Sequence, residues 1–166
     1  MATVTLKGNQ VEVKGHFPET GEAAKDFTLV KSDLSEFSLH ELKGKKVILN
    51  IFPSLDTPVC AMSVRKFNEL ASQTDNTAVL AISKDLPFAH ARFCTTEGIQ
   101  NVTGLSAFRN TDFGENYGVA LVNGPLAGLL ARAVIILNEQ GQVLYTELVP
   151  EITTEPDYEK ALSALK

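Results

Sequence analysis

The sequence predicts an α/β fold in which a mixed central β-sheet is flanked by helices on both faces. The segment 47–52 (VILNIF) is apolar at every position except Asn50, which indicates a central strand that is covered on both faces. Strand-like segments then alternate with segments of helical period, as in sheets whose parallel strands are joined by crossover helices. Two strand-like segments follow each other across the turn 138–141 (NEQG) and predict a terminal antiparallel hairpin.

The strands are predicted from apolar residues at every second position or in short continuous runs. Residues 3–13 alternate around Gly8-Asn9 and predict an N-terminal β-hairpin with a tight turn. The other predicted strands are 26–30, 47–52, 77–83, 102–105, 129–137 and 143–149.

The helices are predicted from apolar residues three and four positions apart. A long helix follows Pro53 and turns Cys60 inward, toward the sheet. Its apolar face consists of Cys60, Val64, Phe67 and Ala71. A second helix opens at Leu86-Pro87 and closes at Gly98, because proline suits a first helical position and glycine a helix end. Shorter helices are predicted at 39–42, 112–117 and 158–165.

The composition is that of one globular domain. The 166 residues contain neither a linker rich in Gly, Ser or Pro nor a block of like charges, so we expect one domain over residues 1–166, with residues 1–14 as the added hairpin. The formal net charge of −5 argues against nucleic acid or an anionic membrane surface as a partner. No signal peptide or membrane-spanning pattern is visible, and we therefore expect a cytoplasmic protein.

Cys60 is the first candidate for chemistry. It falls in the first turn of a helix that follows a buried strand, with Thr57 as the N-cap and Pro58 at the first helical position. A helix N-terminus favours an anion, and a thiolate is the anion that this position offers. The same pattern also fits an inert cysteine in the core, so the pattern alone leaves both interpretations open.

Arg132 is the second candidate because it interrupts the apolar segment 129–137 (LLARAVIIL). A buried guanidinium is costly unless it has an anionic partner. Arg132 therefore forms a structural salt bridge, lies at the solvated end of the strand, or pairs with the Cys60 thiolate. Alternation places Arg132 on one sheet face together with Leu130, Val134 and Ile136.

Cys94 lies 34 positions after Cys60 on another predicted helix, which is too far for a CxxC redox motif. In a reducing cytosol a cysteine pair is more often catalytic than structural. The two cysteines and the three histidines, His16, His40 and His90, have no metal-ligand spacing, and there is no glycine-rich phosphate loop. We therefore expect no metal and no cofactor.

The segment 52–68 (FPSLDTPVCAMSVRKFN) resembles the active-site segment of the peroxiredoxin superfamily, specifically of its thiol peroxidase branch. Pro53, Thr57 and Cys60 match the pattern P-x-x-x-T-x-x-C of that superfamily. The resemblance extends to the segments 86–94 (LPFAHARFC), 124–133 (GPLAGLLARA) and 151–158 (EITTEPDY). It therefore covers essentially the whole chain.

The resemblance implies a thioredoxin-like fold, a homodimer, and a thiol-dependent peroxidase that reduces hydrogen peroxide or alkyl hydroperoxides. Cys60 would be oxidised to a sulfenic acid, and Cys94 would resolve it as a disulfide within one subunit. Thr57 would hydrogen-bond the thiolate and the peroxide, Pro53 would shield the site from water, and Arg132 would stabilise the departing oxygen. Thioredoxin, itself re-reduced with NADPH, would return the enzyme to the dithiol.

Rival interpretations use the same residues differently. A thioredoxin-like disulfide reductase would use Cys60 and Cys94 without peroxide, and a non-catalytic binding module would leave both thiols inert. A Cys–His hydrolase would need a histidine beside Cys60, and the sequence places none there. The preferred peroxide, the physiological reductant and the sensitivity to over-oxidation are not encoded in any motif.

Overall fold

The described residues, 2–166, form ten strands, four α-helices and one 3₁₀ helix in this computed structural model. The strands are β1 (Ala2–Leu6), β2 (Asn9–Lys14), β3 (Thr28–Lys31), β4 (Glu36–Ser38), β5 (Lys46–Ile51), β6 (Thr77–Ser83), β7 (Val102–Ser106), β8 (Ala120–Leu121), β9 (Ala133–Leu137) and β10 (Val143–Leu148). The helices are α1 (Pro58–Ala71), α2 (Pro87–Glu97), α3 (Phe113–Asn116) and α4 (Tyr158–Ala164), and the 3₁₀ helix is Leu39–Leu42. Within residues 2–166 no helix has the length and apolar character needed to cross a membrane.

Seven strands form one mixed sheet in the order β10-β9-β5-β6-β7-β3-β4. β5, β6 and β7 run parallel, whereas β9 is antiparallel to both β5 and β10. β5 lies between β9 and β6, and its residues from Val47 to Ile51 are buried. The mixed sheet, its buried central strand and its terminal antiparallel hairpin are therefore as predicted.

Alternate residues of β5 contribute to two separate parts of the core. Val47, Leu49 and Ile51 belong to a cluster that also contains residues of β1, β2 and α3. Ile48 belongs to the opposite cluster, which contains residues of α1 and α4 together with Phe93 of α2. Helices thus flank both faces, as predicted, but the three longer ones cover one face and the short α3 shares the other with the hairpin.

The N-terminal hairpin turns one residue earlier than the sequence predicts. Leu6 pairs with Asn9, so the turn residues are Lys7 and Gly8. Both have positive φ, 50° at Lys7 and 83° at Gly8, as a two-residue type I′ turn requires. β2 also pairs with β8, and the hairpin thereby becomes part of a three-stranded sheet.

β9 begins at Ala133, four residues later than predicted. Before it, Leu130 forms an isolated bridge with Ala120, and its side chain packs in the cluster that contains the hairpin. Val134 and Ile136 pack in the opposite cluster. The prediction that Leu130 shares a face with these residues is wrong, because strand alternation applies only from Ala133 onward.

Candidate active site

Cys60 is placed by the end of the central strand. β5 stops at Ile51, residues 52–57 form a loop, and Cys60 is the third residue of α1. Ligand sites of open α/β sheets lie at such carboxyl ends of strands. Thr57 occupies the N-cap position with extended backbone angles, as predicted, but its hydroxyl donates to the carbonyl of Ser54 at 3.0 Å and does not cap the helix.

The Cys60 sulfur faces the guanidinium of Arg132. Nη2 of Arg132 donates to Sγ of Cys60 at 3.2 Å, and Nε donates to the carbonyl oxygen of Ile152 at 2.8 Å. Cys60 is 0% exposed and Arg132 is 2% exposed. A guanidinium buried this deeply favours an electron-rich partner, and the Cys60 sulfur is the side-chain atom that accepts its hydrogen bond.

One nitrogen of Arg132 is left for a ligand. Nη1 is buried and has no hydrogen-bond partner among residues 2–166. Buried donors are almost always paired, so an unpaired donor beside a cysteine sulfur indicates a place for an acceptor atom. An oxygen bound there would lie against the guanidinium whose other terminal nitrogen donates to the Cys60 sulfur.

A cavity of about 490 Å³ adjoins this pair. Arg132 and Thr57 line it, and most of the remaining wall is apolar. The apolar wall includes Pro53, Pro58, Val59, Pro125, Leu126 and Ile152. Cys60 itself does not line the cavity, so a ligand touches the sulfur only after a local movement of the loop or of the first turn of α1.

Cys94 lies outside this cavity. It is half-buried on α2, packs against the core cluster that contains Cys60, and borders a separate cavity of about 310 Å³. Both cysteines are free thiols. Burial raises the pKa of the Cys94 thiol. The structure therefore brings Pro53, Thr57, Cys60 and Arg132 together and leaves Cys94 to the side.

The three histidines form hydrogen bonds or ion pairs with residues other than Cys60. His90 is 1% exposed, its Nε2 lies 3.1 Å from Oγ of Ser83, and burial lowers its pKa to about 4 against the opposing charge of Asp85. His16 and His40 form exposed pairs with acidic residues. Among residues 2–166 no three His, Cys, Asp or Glu side chains are grouped to hold a metal ion. The absence of a cofactor stays a prediction.

Comparison with known proteins identifies the family. The Redoxin family model matches residues 19–162. The chain belongs to the Redoxin family. It is 56% identical over 165 residues to a thiol peroxidase of Corynebacterium glutamicum, with 99% of each chain covered. The resemblance to thiol peroxidases is thereby confirmed.

Solved structures agree with this placement of the redoxin. A peroxiredoxin-like protein from Aquifex aeolicus is 43% identical and superposes with a TM-score of 0.94, over 99% of this chain and 96% of its own. A thiol peroxidase from Chromobacterium violaceum is 23% identical and has a TM-score of 0.92, over 98% and 94% of the two chains. The second match shows the fold alone, and together they confirm the predicted thioredoxin-like fold.

The structure also places beside the Cys60 loop one acidic residue that the sequence analysis did not single out. Asp85 follows β6 and accepts hydrogen bonds from Ser54 Oγ at 2.8 Å, from the Leu55 N–H at 2.8 Å and from Ser83 Oγ at 2.6 Å. It thereby fixes the loop that leads to Cys60. The position of Asp85 in the sequence could have indicated this contact. β5 and β6 are parallel neighbours, so an acidic residue just after β6 lies near the loop that follows β5.

Proposed function

We propose that this redoxin is a thiol-dependent peroxidase that reduces hydroperoxides with Cys60. The observation that carries the proposal is the buried pair of Cys60 Sγ and Arg132 Nη2 at 3.2 Å, with the neighbouring Nη1 unpaired. The 56% identity to a thiol peroxidase over nearly the whole chain supports it. A thiolate is the nucleophilic form of cysteine, and a fixed cation stabilises charge that develops on a leaving oxygen.

In the first step the Cys60 thiolate attacks the terminal oxygen of the hydroperoxide. The S–O bond forms as the O–O bond breaks, so the sulfur becomes a sulfenic acid and the other oxygen leaves as hydroxide or alkoxide, which takes up a proton to give water or alcohol. Arg132 donates to the departing oxygen. Thr57 hydrogen-bonds the peroxide, and Pro53 keeps water from the sulfur; both line the cavity next to Arg132.

In the second step Cys94 resolves the sulfenic acid. Its sulfur attacks Cys60, the sulfenic oxygen leaves as water, and an intrasubunit disulfide forms. A raised pKa keeps Cys94 protonated until then, which suits a resolving thiol that must not compete for the peroxide. Thioredoxin reduces the disulfide and restores both thiols.

The setting of this activity is also a proposal. We propose that residues 1–166 act as one domain, that the enzyme is a homodimer, and that it works in the cytoplasm without a metal or organic cofactor. The net charge of −5 supports partners other than nucleic acid and membranes.

The test follows NADPH consumption with thioredoxin, thioredoxin reductase and either hydrogen peroxide or cumene hydroperoxide. We expect Cys60→Ser to abolish turnover, because a serine hydroxyl cannot be oxidised by a hydroperoxide as a thiolate is, and Cys94→Ser to reduce it strongly. Ser63→Ala, which removes a buried hydroxyl that donates to the Cys60 carbonyl, serves as a control for small changes inside α1. Full turnover by Cys60→Ser would overturn the proposal, and insulin reduction without any peroxidase activity would favour a disulfide reductase.

A further inference from the structure

The cavity beside Cys60 is much larger than a hydrogen peroxide molecule. Its volume of about 490 Å³ falls in the range of sites for whole organic ligands, whereas a water-sized molecule occupies roughly 30 Å³. Leu6 of the hairpin, Leu126 and Ile152 contribute apolar wall. The cavity therefore suits a hydroperoxide with an apolar body.

The charged groups at this cavity all have the same sign. Among residues 2–166, the charged residues that line it are Lys7 and Arg132, and no acidic residue does. Arg132 is buried and bound to Cys60, whereas Lys7 is exposed on the hairpin turn and thus lies where the cavity opens to solvent. Within the same residues, Lys7 has no salt-bridge partner.

The backbone at Lys7 favours a different residue. Its φ of 50° lies in the left-handed region, and position one of such a turn prefers Asn, Asp or Gly. A lysine there is strained, and strain of this kind often marks a functional position.

The local hydrogen bonds do not require a lysine. The Glu151 carboxylate accepts from the N–H groups of Lys7 at 3.2 Å and Gly8 at 2.9 Å, and from the Thr5 hydroxyl at 2.9 Å. These turn contacts use the main chain of Lys7, so Asn would make the same bond with less strain. Glu151 also accepts from the N–H and hydroxyl of Thr153, and it does not line the cavity.

We infer that Lys7 is a specificity-determining residue that binds a carboxylate at the far end of an apolar hydroperoxide. The peroxide group lies at Arg132, the apolar body lies along Leu126 and Ile152, and the carboxylate lies at the mouth beside the ammonium of Lys7. This inference rests on the proposed peroxidase activity and names the class of substrate for the same cavity.

The experiment compares 13-hydroperoxyoctadecadienoic acid with its methyl ester, both below their micelle concentrations, in the thioredoxin-linked assay. The two probes differ only in the charge at the carboxyl end. The variants are Lys7→Asn, which suits the left-handed turn, and Lys25→Asn, which makes the same charge change at an exposed lysine that does not line the cavity.

We expect the native chain to have about two- to fivefold higher kcat/KM for the acid than for the ester, the range of an exposed ion pair. Lys7→Asn should bring the ratio close to one, mainly by raising KM for the acid, with no loss of thermal stability. Lys25→Asn should keep the native ratio, and added salt should lower it in the native chain.

Equal kcat/KM for acid and ester in the native chain would overturn the inference, and so would an unchanged ratio in Lys7→Asn. Either result leaves the peroxidase proposal intact as long as cumene hydroperoxide is turned over. Absence of turnover with every hydroperoxide would instead overturn the proposed function.

Discussion

The two cysteine-bearing helices give the same residue type opposite surroundings. On α1, Cys60 is fully buried and receives a hydrogen bond from the Arg132 guanidinium at 3.2 Å. On α2, Cys94 is half-buried beside apolar side chains, and burial raises its pKa. Exposure alone would rank Cys94 as the more reactive thiol. The contrast teaches that two cysteines of one fold can differ in the charge that faces the sulfur as well as in access to solvent, and the thiolate character of a cysteine depends on both.

The largest expected effect comes from removing the cation on the α1 side. Arg132→Met should lower the rate of Cys60 oxidation by hydrogen peroxide about 100- to 1000-fold, the usual effect of losing a donor that stabilises a developing oxyanion. Stopped-flow oxidation in a Cys94→Ser background measures this step without the disulfide.

Two further variants separate charge from packing. Arg132→Lys keeps the charge but cannot bind Cys60 and Ile152 together, so its rate should lie between those of the native chain and Arg132→Met. Arg109→Met removes an exposed arginine whose pair with Glu36 spans 3.8 Å, and it should leave the rate unchanged. A folded Arg132→Met chain with a near-native rate would break the comparison.

The next effect concerns the α2 side and its buried His90. The pKa of His90 is lowered from 6.5 to about 4, so the folded chain resists the proton that the unfolded chain takes up. Above pH 6.5 the residue is neutral in both states; as the pH falls toward 4, the free energy of unfolding should drop by about 3 kcal/mol, and below 4 this drop ends.

Urea unfolding at pH 7, 5.5 and 4.5 tests this loss. His90→Gln should lose less stability than the native chain over that interval, whereas His16→Gln, an exposed control, should follow the native curve closely. If the free energy of unfolding fell equally with pH in the native chain and in His90→Gln, His90 would not be the source of the loss of stability in acid.

The smallest expected effect is a lower rate of alkylation of Cys94 in the folded chain. In a Cys60→Ser chain, iodoacetamide should react with Cys94 more slowly than with the same chain unfolded in urea. Because the pKa of Cys94 is raised, its rate should keep rising with pH beyond the point where the unfolded thiol levels off. If the folded and the unfolded chain had the same pH profile of alkylation, the fold would not raise the pKa of Cys94. The two cysteines would then not differ in the way described above.

The sequence predicts elements best where one long pattern is bounded by strong signals. β6 has the predicted bounds, 77–83, because its apolar run is continuous, and α2 lies between Pro87 and Gly98 as predicted. β4 and β8 were missed because strands of three and two residues depend on partners elsewhere in the chain. The late start of β9 has the same cause, since residues before it bond to the β8 region.

The sequence predicted those contacts of the site that follow from the chemistry of a particular side chain. Arg132 needed an anion in an apolar segment, and the structure supplies Cys60. The carbonyl of Ile152 was not predictable, because any residue has one and only the fold selects it. The strain at Lys7 was equally hidden, since it depends on where the turn falls.

The first and last segments of the chain close this site together. Thr5 bridges to Glu151, and the neighbouring Ile152 holds the guanidinium that faces Cys60. During synthesis Ile152 is added about 90 residues after Cys60, and at roughly 5–20 residues per second this takes about 5–20 s. For that time Cys60 of the nascent chain lacks the carbonyl that holds the Arg132 guanidinium against its sulfur.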